Sequence, residues 1–335
     1  MTSSNHYHLL VGIALLLSTL ISPQVQATKL KIATLVPDGT YWMKSMRQAA
    51  KVIDEKTEGR VKLRFYPGGV MGNDKSLMRK IRVGQLHGGA ITGGGLAAIN
   101  PDLNLYSLPF LFRSYEEVDH VRQSMDPQIE AGLKKRGFIS YGLSEGGFAY
   151  LMSNTQLNNL ADLQQQKVWA PEGDPISQHA FKAVGVSPIP LPLTDVLTGL
   201  QTGLINTVGT SPIGAITLQW HTRIKHLTDI PLLYLYASLV IHEKALKKLS
   251  NGDRETLEQE LRDVFRKINT QNRKDNINAR QALKNQGIQF NTPALDDMDK
   301  WRAATDRAVE VLGDNGSYSK ALFSRMQKLL SEFRQ

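Results

Sequence analysis

From residue 28 onward the apolar positions switch between two periods. Lys29-Leu30-Lys31-Ile32-Ala33 alternates as a half-buried strand does. Trp42, Met46, Ala49, Ala50 and Ile53 then fall on one face of a helix, which Gly59 closes. Val61-Lys62-Leu63-Arg64-Phe65 alternates again, a helix is predicted from Asp74 to Val83, and Ala90-Ile91-Thr92 is a short strand running into Gly93-Gly94-Gly95. This strand–helix alternation predicts an α/β fold with a largely parallel sheet. The second half repeats the style. Strands are expected around Gly137 to Tyr141, Ala149 to Met152 and Ile205 to Val208, and helices over Ile176 to Val184 and within Leu193 to Gly203.

Asp253 to Leu283 differs. Leu257, Leu261, Val264, Phe265, Ile268, Ile277 and Leu283 recur at helical spacing with charges between them. A helix this long needs support along its length, and bridging two lobes supplies it. Two helices broken near Asn269 to Asn272 are the alternative.

The first 27 residues form a separate unit. Met1 to Ala27 carry no charged side chain, Leu9 to Leu20 is a short apolar stretch, and Val25-Gln26-Ala27 is a small-x-Ala ending. These features predict a secretory signal peptide cleaved after about Ala27, and hence a periplasmic mature chain; an uncleaved anchor is the alternative. The 335 residues include no cysteine, which excludes thiol catalysis and cysteine-based metal sites. The formal charge of +9 is dispersed among acids rather than gathered into a basic stripe interleaved with aromatics, so nucleic acid is not an expected partner.

Three local motifs invite chemistry and each lacks its context. Gly142-Leu143-Ser144-Glu145-Gly146 matches the nucleophile elbow of hydrolases, but Gly147 to Leu151 reads as strand where the elbow requires a helix. Gly93-Gly94-Gly95-Leu96-Ala97-Ala98 loosely fits a dinucleotide loop but does not follow the first strand; a close backbone approach to a ligand suits it better. His242-Glu243 lacks the second histidine of a zinc helix. No catalytic residue, metal or cofactor is therefore assigned.

Four stretches carry a wider resemblance: Thr57-Glu58-Gly59-Arg60 with Tyr66 to Gly72, Ile81 to Leu86, Leu105 to Phe112, and Leu200 to Asn206. In order and spacing the chain resembles, over essentially its whole mature length, the DctP-type substrate-binding proteins of TRAP transporters. The resemblance implies a two-lobed periplasmic binding protein with a ligand cleft between the lobes and a long hinge-spanning helix. It also implies membrane subunits as partners, and in some members a helical-repeat protein. Lobe 1 is expected to comprise residues 28–147 plus about 236–270, and lobe 2 residues 148–235 plus about 271–335.

Two departures from the family pattern matter. The family's arginine in "G-F-R" is matched here by Ala149 after Phe148, and the arginine of "K-I-R-V-P", which grips a substrate carboxylate, is matched by Trp169. Leaving a buried carboxylate without its cation costs roughly 3–5 kcal/mol, and an indole offers one neutral donor in place of a planar fork. These changes predict a neutral, largely apolar or aromatic ligand. The expected site is Trp169, Phe148, Ala149, Leu193, Tyr41 and Trp42 as walls, Gly93, Gly94 and Gly95 as backbone contacts, and Thr210 and Ser211 as hydroxyls. Core packing is the competing reading for Trp169 and Trp42. An organic acid held by a relocated cation (Arg79, Arg82 or Lys167) and an exported hydrolase using Ser144 are the rival functions.

Overall fold

The structure, a computed structural model, describes residues 27–335. The predicted signal peptide, apart from Ala27, lies outside the described residues. Lobe 1 opens with β1 (Thr28–Thr34), α1 (Tyr41–Lys56), β2 (Val61–Tyr66), α2 (Asp74–Arg82), β3 (Gly88–Thr92) and the short α3 (Gly93–Ala97). Its helices begin where side chains can satisfy free N–H groups: the Thr40 hydroxyl accepts from Met43 N, and Asn73 Oδ1 from Ser76 N. β1 pairs in parallel with both β2 and β3. All three strands therefore end on the same side, where the Gly93-Gly94-Gly95 turn begins. The carboxyl ends of parallel strands are where α/β sheets bind ligands.

Next come α4 (Tyr115–Lys135) and β4 (Phe138–Ser153), a single strand of 16 residues where the sequence pattern suggested two. Lobe 2 follows with α5 (Leu160–Gln164), β5 (Trp169–Pro171), α6 (Pro175–Ala183), β6 (Ile189–Leu191), α7 (Val196–Thr202), β7 (Thr207–Thr210), α8 (Pro212–Thr217) and β8 (His226–Thr228). The chain returns through β9 (Leu233–His242) to α9 (Glu243–Leu246), α10 (Asn251–Asn285), β10 (Gln289–Asn291), α11 (Leu295–Asp314) and α12 (Lys320–Phe333).

The main sheet runs β10-β8-β4-β9-β3-β1-β2, with β7 also on β4, and β5 pairs with β6 in a separate ribbon. It is mixed rather than largely parallel. β4 carries the chain out of lobe 1 and β9 brings it back, so the two run antiparallel, and β9 is also antiparallel to β3. Tyr150 to Ser153, at the far end of β4, pair with β7 and β8 of lobe 2.

The predicted long helix is real and unbroken: α10 spans 35 residues. Val264, Phe265 and Ile268 sit in a lobe 1 core with Met43 and Met46, while Leu283 sits in a lobe 2 core with Trp169 and Trp220. Its asparagines do not interrupt it. Asn269 Nδ2 donates to Leu143 O at 2.9 Å and Asn272 Nδ2 to Glu145 O at 2.6 Å, so they dock the helix on β4. One part of the expected division needs correction. α11 packs on α6, but α12 returns to lobe 1, where Met326 and Leu330 are buried in the core beside α4 and Arg334 Nε pairs with Glu117 at 2.7 Å.

Candidate ligand site

The lobes meet around the glycine turn. A side chain at Gly94 would stand 3.4 Å from Asp174 Cβ, and one at Gly93 would collide with the Tyr236 ring at 2.9 Å. One at Gly95 would meet Asp74 Cβ at 2.9 Å. The turn is glycine because Asp74 and Tyr236 of lobe 1 and Asp174 of lobe 2 close on its backbone. Two further contacts join the lobes nearby. Asn73 Nδ2 donates to Glu172 Oε2 at 3.2 Å, and a Cβ on Gly69 would touch both Thr194 Cγ2 and Leu35 Cδ2.

Among the described residues no carboxyl group at this junction is ion-paired. Asp174 caps α6: its Oδ1 accepts from Ile176 N at 3.0 Å and its Oδ2 from the Ser177 hydroxyl at 2.5 Å. Asp74 Oδ2 accepts from the Thr92 hydroxyl at 2.5 Å. Asp74 is partly exposed as a residue, yet its Oδ1 is shielded from solvent and has no hydrogen-bond partner. Burial pushes both carboxyls above the ordinary aspartate range, against the lowering effect of those hydrogen bonds. Neither forms an ion pair among the described residues. Tyr236, also buried, has its phenol pushed well up, first by burial and then by Asp174.

Trp169 begins β5 and is only 5% exposed. Its Nε1 donates to Leu191 O at 3.0 Å, and its ring meets Trp220 edge-on at 5.2 Å between centroids. Val196, Leu200 and Leu227 complete its surroundings, with Leu193 and Leu197 partly buried against them. The indole thus anchors the lobe 2 core immediately behind Leu193 and Thr194, the residues nearest the Gly69 contact.

The remaining expected residues fall into distinct groups. Phe148 packs on Tyr115 and Tyr234 in the lobe 1 core, at 5.1 and 5.9 Å between centroids, and Ala149 is paired with Leu233. Both lie where β4 passes between lobes. Ser211 caps α8 by accepting from Gly214 N at 3.2 Å, which leaves its hydroxyl hydrogen to donate; Thr210 is buried beside it on β7. Trp42 is a correction. It lies in the lobe 1 core against Phe265 and donates to Ser144 Oγ at 3.2 Å, because the apolar stripe of α1 faces α10. Tyr41, the first residue of the same helix, is 43% exposed.

The rival readings can be placed too. Ser144 lies within β4 with its hydroxyl held by Trp42, and the strand continues past Gly147. Arg79 is exposed five residues into α2 from Asp74, about 7.5 Å along the axis. Lys167 Nζ donates to Gly203 O at 2.9 Å at the surface. Arg82 lies at the opposite end of the lobe 1 sheet, near His87. Among the described residues none of the three pairs with Asp74 or Asp174. Among the described residues no group of three or more His, Asp or Glu is placed to hold a metal ion, and no helix is long and apolar enough to cross a membrane.

Sequence reasoning missed Asp74, Asp174, Tyr236 and Leu35. Asp74 and Asp174 could have been suspected from Asn73-Asp74 and Asp174-Pro175-x-Ser177, which are helix-start signals adjoining turns. Nothing local marks Tyr236 or Leu35.

Comparison with known proteins agrees with this architecture. Among curated proteins, the 2,3-diketo-L-gulonate-binding periplasmic protein YiaO of Escherichia coli is 29% identical over 160 residues, 46% of this chain and 48% of YiaO. The chain thus spans about half the length of that relative. The sialic acid-binding periplasmic protein SiaP of Vibrio cholerae is 23% identical over 260 residues, 76% of this chain and 79% of SiaP. Among solved structures, a TRAP periplasmic solute-binding protein from Desulfovibrio salexigens with bound orotic acid superposes with a TM-score of 0.83 at 18% identity, covering 91% of this chain and 99% of that one. The family model for bacterial extracellular solute-binding protein, family 7 (DctP) matches residues 32–314, and to that family, the TRAP-type solute-binding proteins, the chain belongs.

Proposed function

We propose that this protein captures a neutral, largely apolar or aromatic small molecule in the periplasm and delivers it to TRAP membrane subunits. One observation carries the ligand class: the lobe junction presents two partly buried carboxyl groups, Asp74 and Asp174, neither of them ion-paired among the described residues. A carboxylate ligand there would lack the guanidinium fork that compensates its desolvation, and would meet repulsion from either aspartate once that group ionises. A neutral ligand meets no such penalty. A protonated Asp74 can donate a hydrogen bond to a ligand carbonyl or hydroxyl, and the Ser211 hydroxyl supplies another donor. Leu35, Leu193 and the Trp169 core behind it supply apolar surface, at about 25 cal/mol per Å² buried.

The second reading is an organic acid, favoured by the relatives: YiaO and SiaP are named for 2,3-diketo-L-gulonate and sialic acid, and the D. salexigens protein holds orotic acid. It needs a cation that the junction does not present.

Native mass spectrometry of the protein exported to a periplasm, followed by solvent extraction, separates the two. A neutral apolar adduct is expected. Its affinity should fall in Leu193→Ala, a partly buried change that spares the core. A retained carboxylate, or thermal stabilisation by a panel of sugar acids and none by neutral aromatics, would sink the proposal. Trp169→Ala serves only as a stability control, since emptying a buried tryptophan site costs about 3–5 kcal/mol by itself.

A further inference from the structure

At the end of the lobe 1 sheet remote from the glycine turn there is a hollow of about 360 Å³. Its lining is basic: Lys29, Arg82, His87, His242, Lys244 and Lys248. It lies at the start of β1 and β3, so the length of β3, about 16 Å, separates it from the lobe junction. We infer that this hollow binds a phosphate-bearing group.

Three observations support the inference. The first is uncompensated charge. No carboxylate lines the hollow, and among the described residues Lys29, Arg82, Lys244 and Lys248 are in no ion pair, although other basic side chains of the protein are paired. The segment preceding β1 cannot neutralise it, since Met1 to Ala27 contain no Asp or Glu. The one adjacent acid is Glu243, next in sequence to His242.

The second is the orientation of the two imidazoles. His87 Nδ1 accepts from Lys31 N at 2.9 Å, and His242 Nδ1 accepts from Lys244 N at 3.2 Å. With Nδ1 occupied as an acceptor, each neutral ring carries its proton on Nε2 and is a donor there. The backbone fixes both rings, since His242 N also donates to His87 O at 2.9 Å. Burial, then Lys31 and Lys248, lowers the pKa of His87, which a hydrogen bond to the Lys29 backbone opposes; burial, then Lys244, lowers that of His242, which Glu243 opposes. The rings therefore remain neutral donors near neutral pH.

The third is the match of chemistry. Four cations and two fixed N–H donors around one hollow suit a multiply charged tetrahedral oxyanion, which accepts several charge-assisted hydrogen bonds at once. The same group is carried by free phosphorylated solutes and by anionic phospholipid headgroups.

The test uses the whole mature chain. Inorganic phosphate is titrated at constant ionic strength while histidine ring signals are followed by NMR. In parallel, co-sedimentation is measured with phosphatidylcholine vesicles with and without phosphatidylglycerol. The signals of His87 and His242 should shift saturably, and those of His120, His179, His221 and His226 should not. Arg82→Gln/Lys248→Gln should weaken binding about tenfold or more, while the exposed control pair Lys274→Gln/Arg307→Gln leaves it unchanged. Saturation by phosphate without vesicle binding assigns a free solute; vesicle binding that requires phosphatidylglycerol and the same two residues assigns a headgroup. The inference is overturned if neither probe binds, or if the control pair weakens binding as much as the hollow pair.

Discussion

The hinge and the lobe junction both bury a carboxyl group, and they treat it in opposite ways. At the hinge, Glu145 is 3% exposed. Arg273 grips it through two bonds of 2.7 Å, Arg122 adds a third at 3.2 Å, and Asp126 and Asp119 occupy the outer sides of the two guanidiniums. The bonds to Asp119 and Glu145 hold the Arg273 pKa above its ordinary value despite burial. At the junction, Asp74 and Asp174 have only hydroxyl and backbone donors, and burial raises their pKa values. Arginine fixes the strand that joins the lobes, and no arginine is ion-paired to Asp74 or Asp174 among the described residues. A buried acid gripped by guanidiniums acts as a structural clamp; one without them tends toward the neutral form and repels an anion only once it ionises.

The largest expected effect breaks the clamp. Glu145→Ala leaves the partly buried guanidiniums of Arg122 and Arg273 facing each other with only Asp126 and Asp119 on their outer sides, and should destabilise the protein by up to about 3–5 kcal/mol in denaturant unfolding. A loss below about 1 kcal/mol, the range of exposed pairs, would show that the cluster contributes no more than surface charge does. Gly147→Ala comes next. Gly147 has φ +89°, and an added Cβ would stand 2.6 Å from Asn276 Nδ2 and 2.9 Å from the Tyr115 hydroxyl oxygen. Strain and displacement of the asparagine should cost about 1–3 kcal/mol. Because Asn276 Oδ1 also accepts from Ile213 N of lobe 2 at 3.3 Å, ligand affinity should fall with it. Stability lost without any change in affinity would separate the hinge from binding.

This contrast explains what the sequence could and could not reveal. The alternation of Leu30 and Ile32 and the stripe on α10 are local patterns, and each led to the right element. The arginine positions held by Ala149 and Trp169 were legible only through the family resemblance, and so was the expectation of a site at that place. Trp42 was misplaced because an aromatic on an amphipathic face reads the same whether its face meets a core or a cleft; here it meets Phe265, far along the chain. The Glu145 cluster joins Arg122 of α4, 23 positions away, with Arg273 of α10, 128 positions away, and no spacing rule reaches that far. Asp74 and Asp174 were hidden for a different reason: at the start of a helix an aspartate has a sufficient local role as a cap or dipole partner, which masks its place between the lobes.

The finest effect tests the junction itself. Asparagine caps a helix as well as aspartate does, so Asp174→Asn should keep α6 intact while removing the titratable group. In the native protein burial holds the folded-state pKa above the ordinary aspartate value. The protonated form is therefore favoured by folding. Its contribution is fully present below that value and is lost as pH rises through the raised pKa. As pH rises from acid through the raised pKa the native protein should lose stability that Asp174→Asn retains, and the two unfolding curves should converge in acid. Asp74→Asn should act in the same direction, and the double variant should bind small carboxylates more tightly than the native chain does, because the repulsive groups are gone. Parallel pH profiles would mean that Asp174 is solvated enough to ionise freely. The junction would then differ from the hinge only in lacking cations, and not in the charge it presents to a ligand.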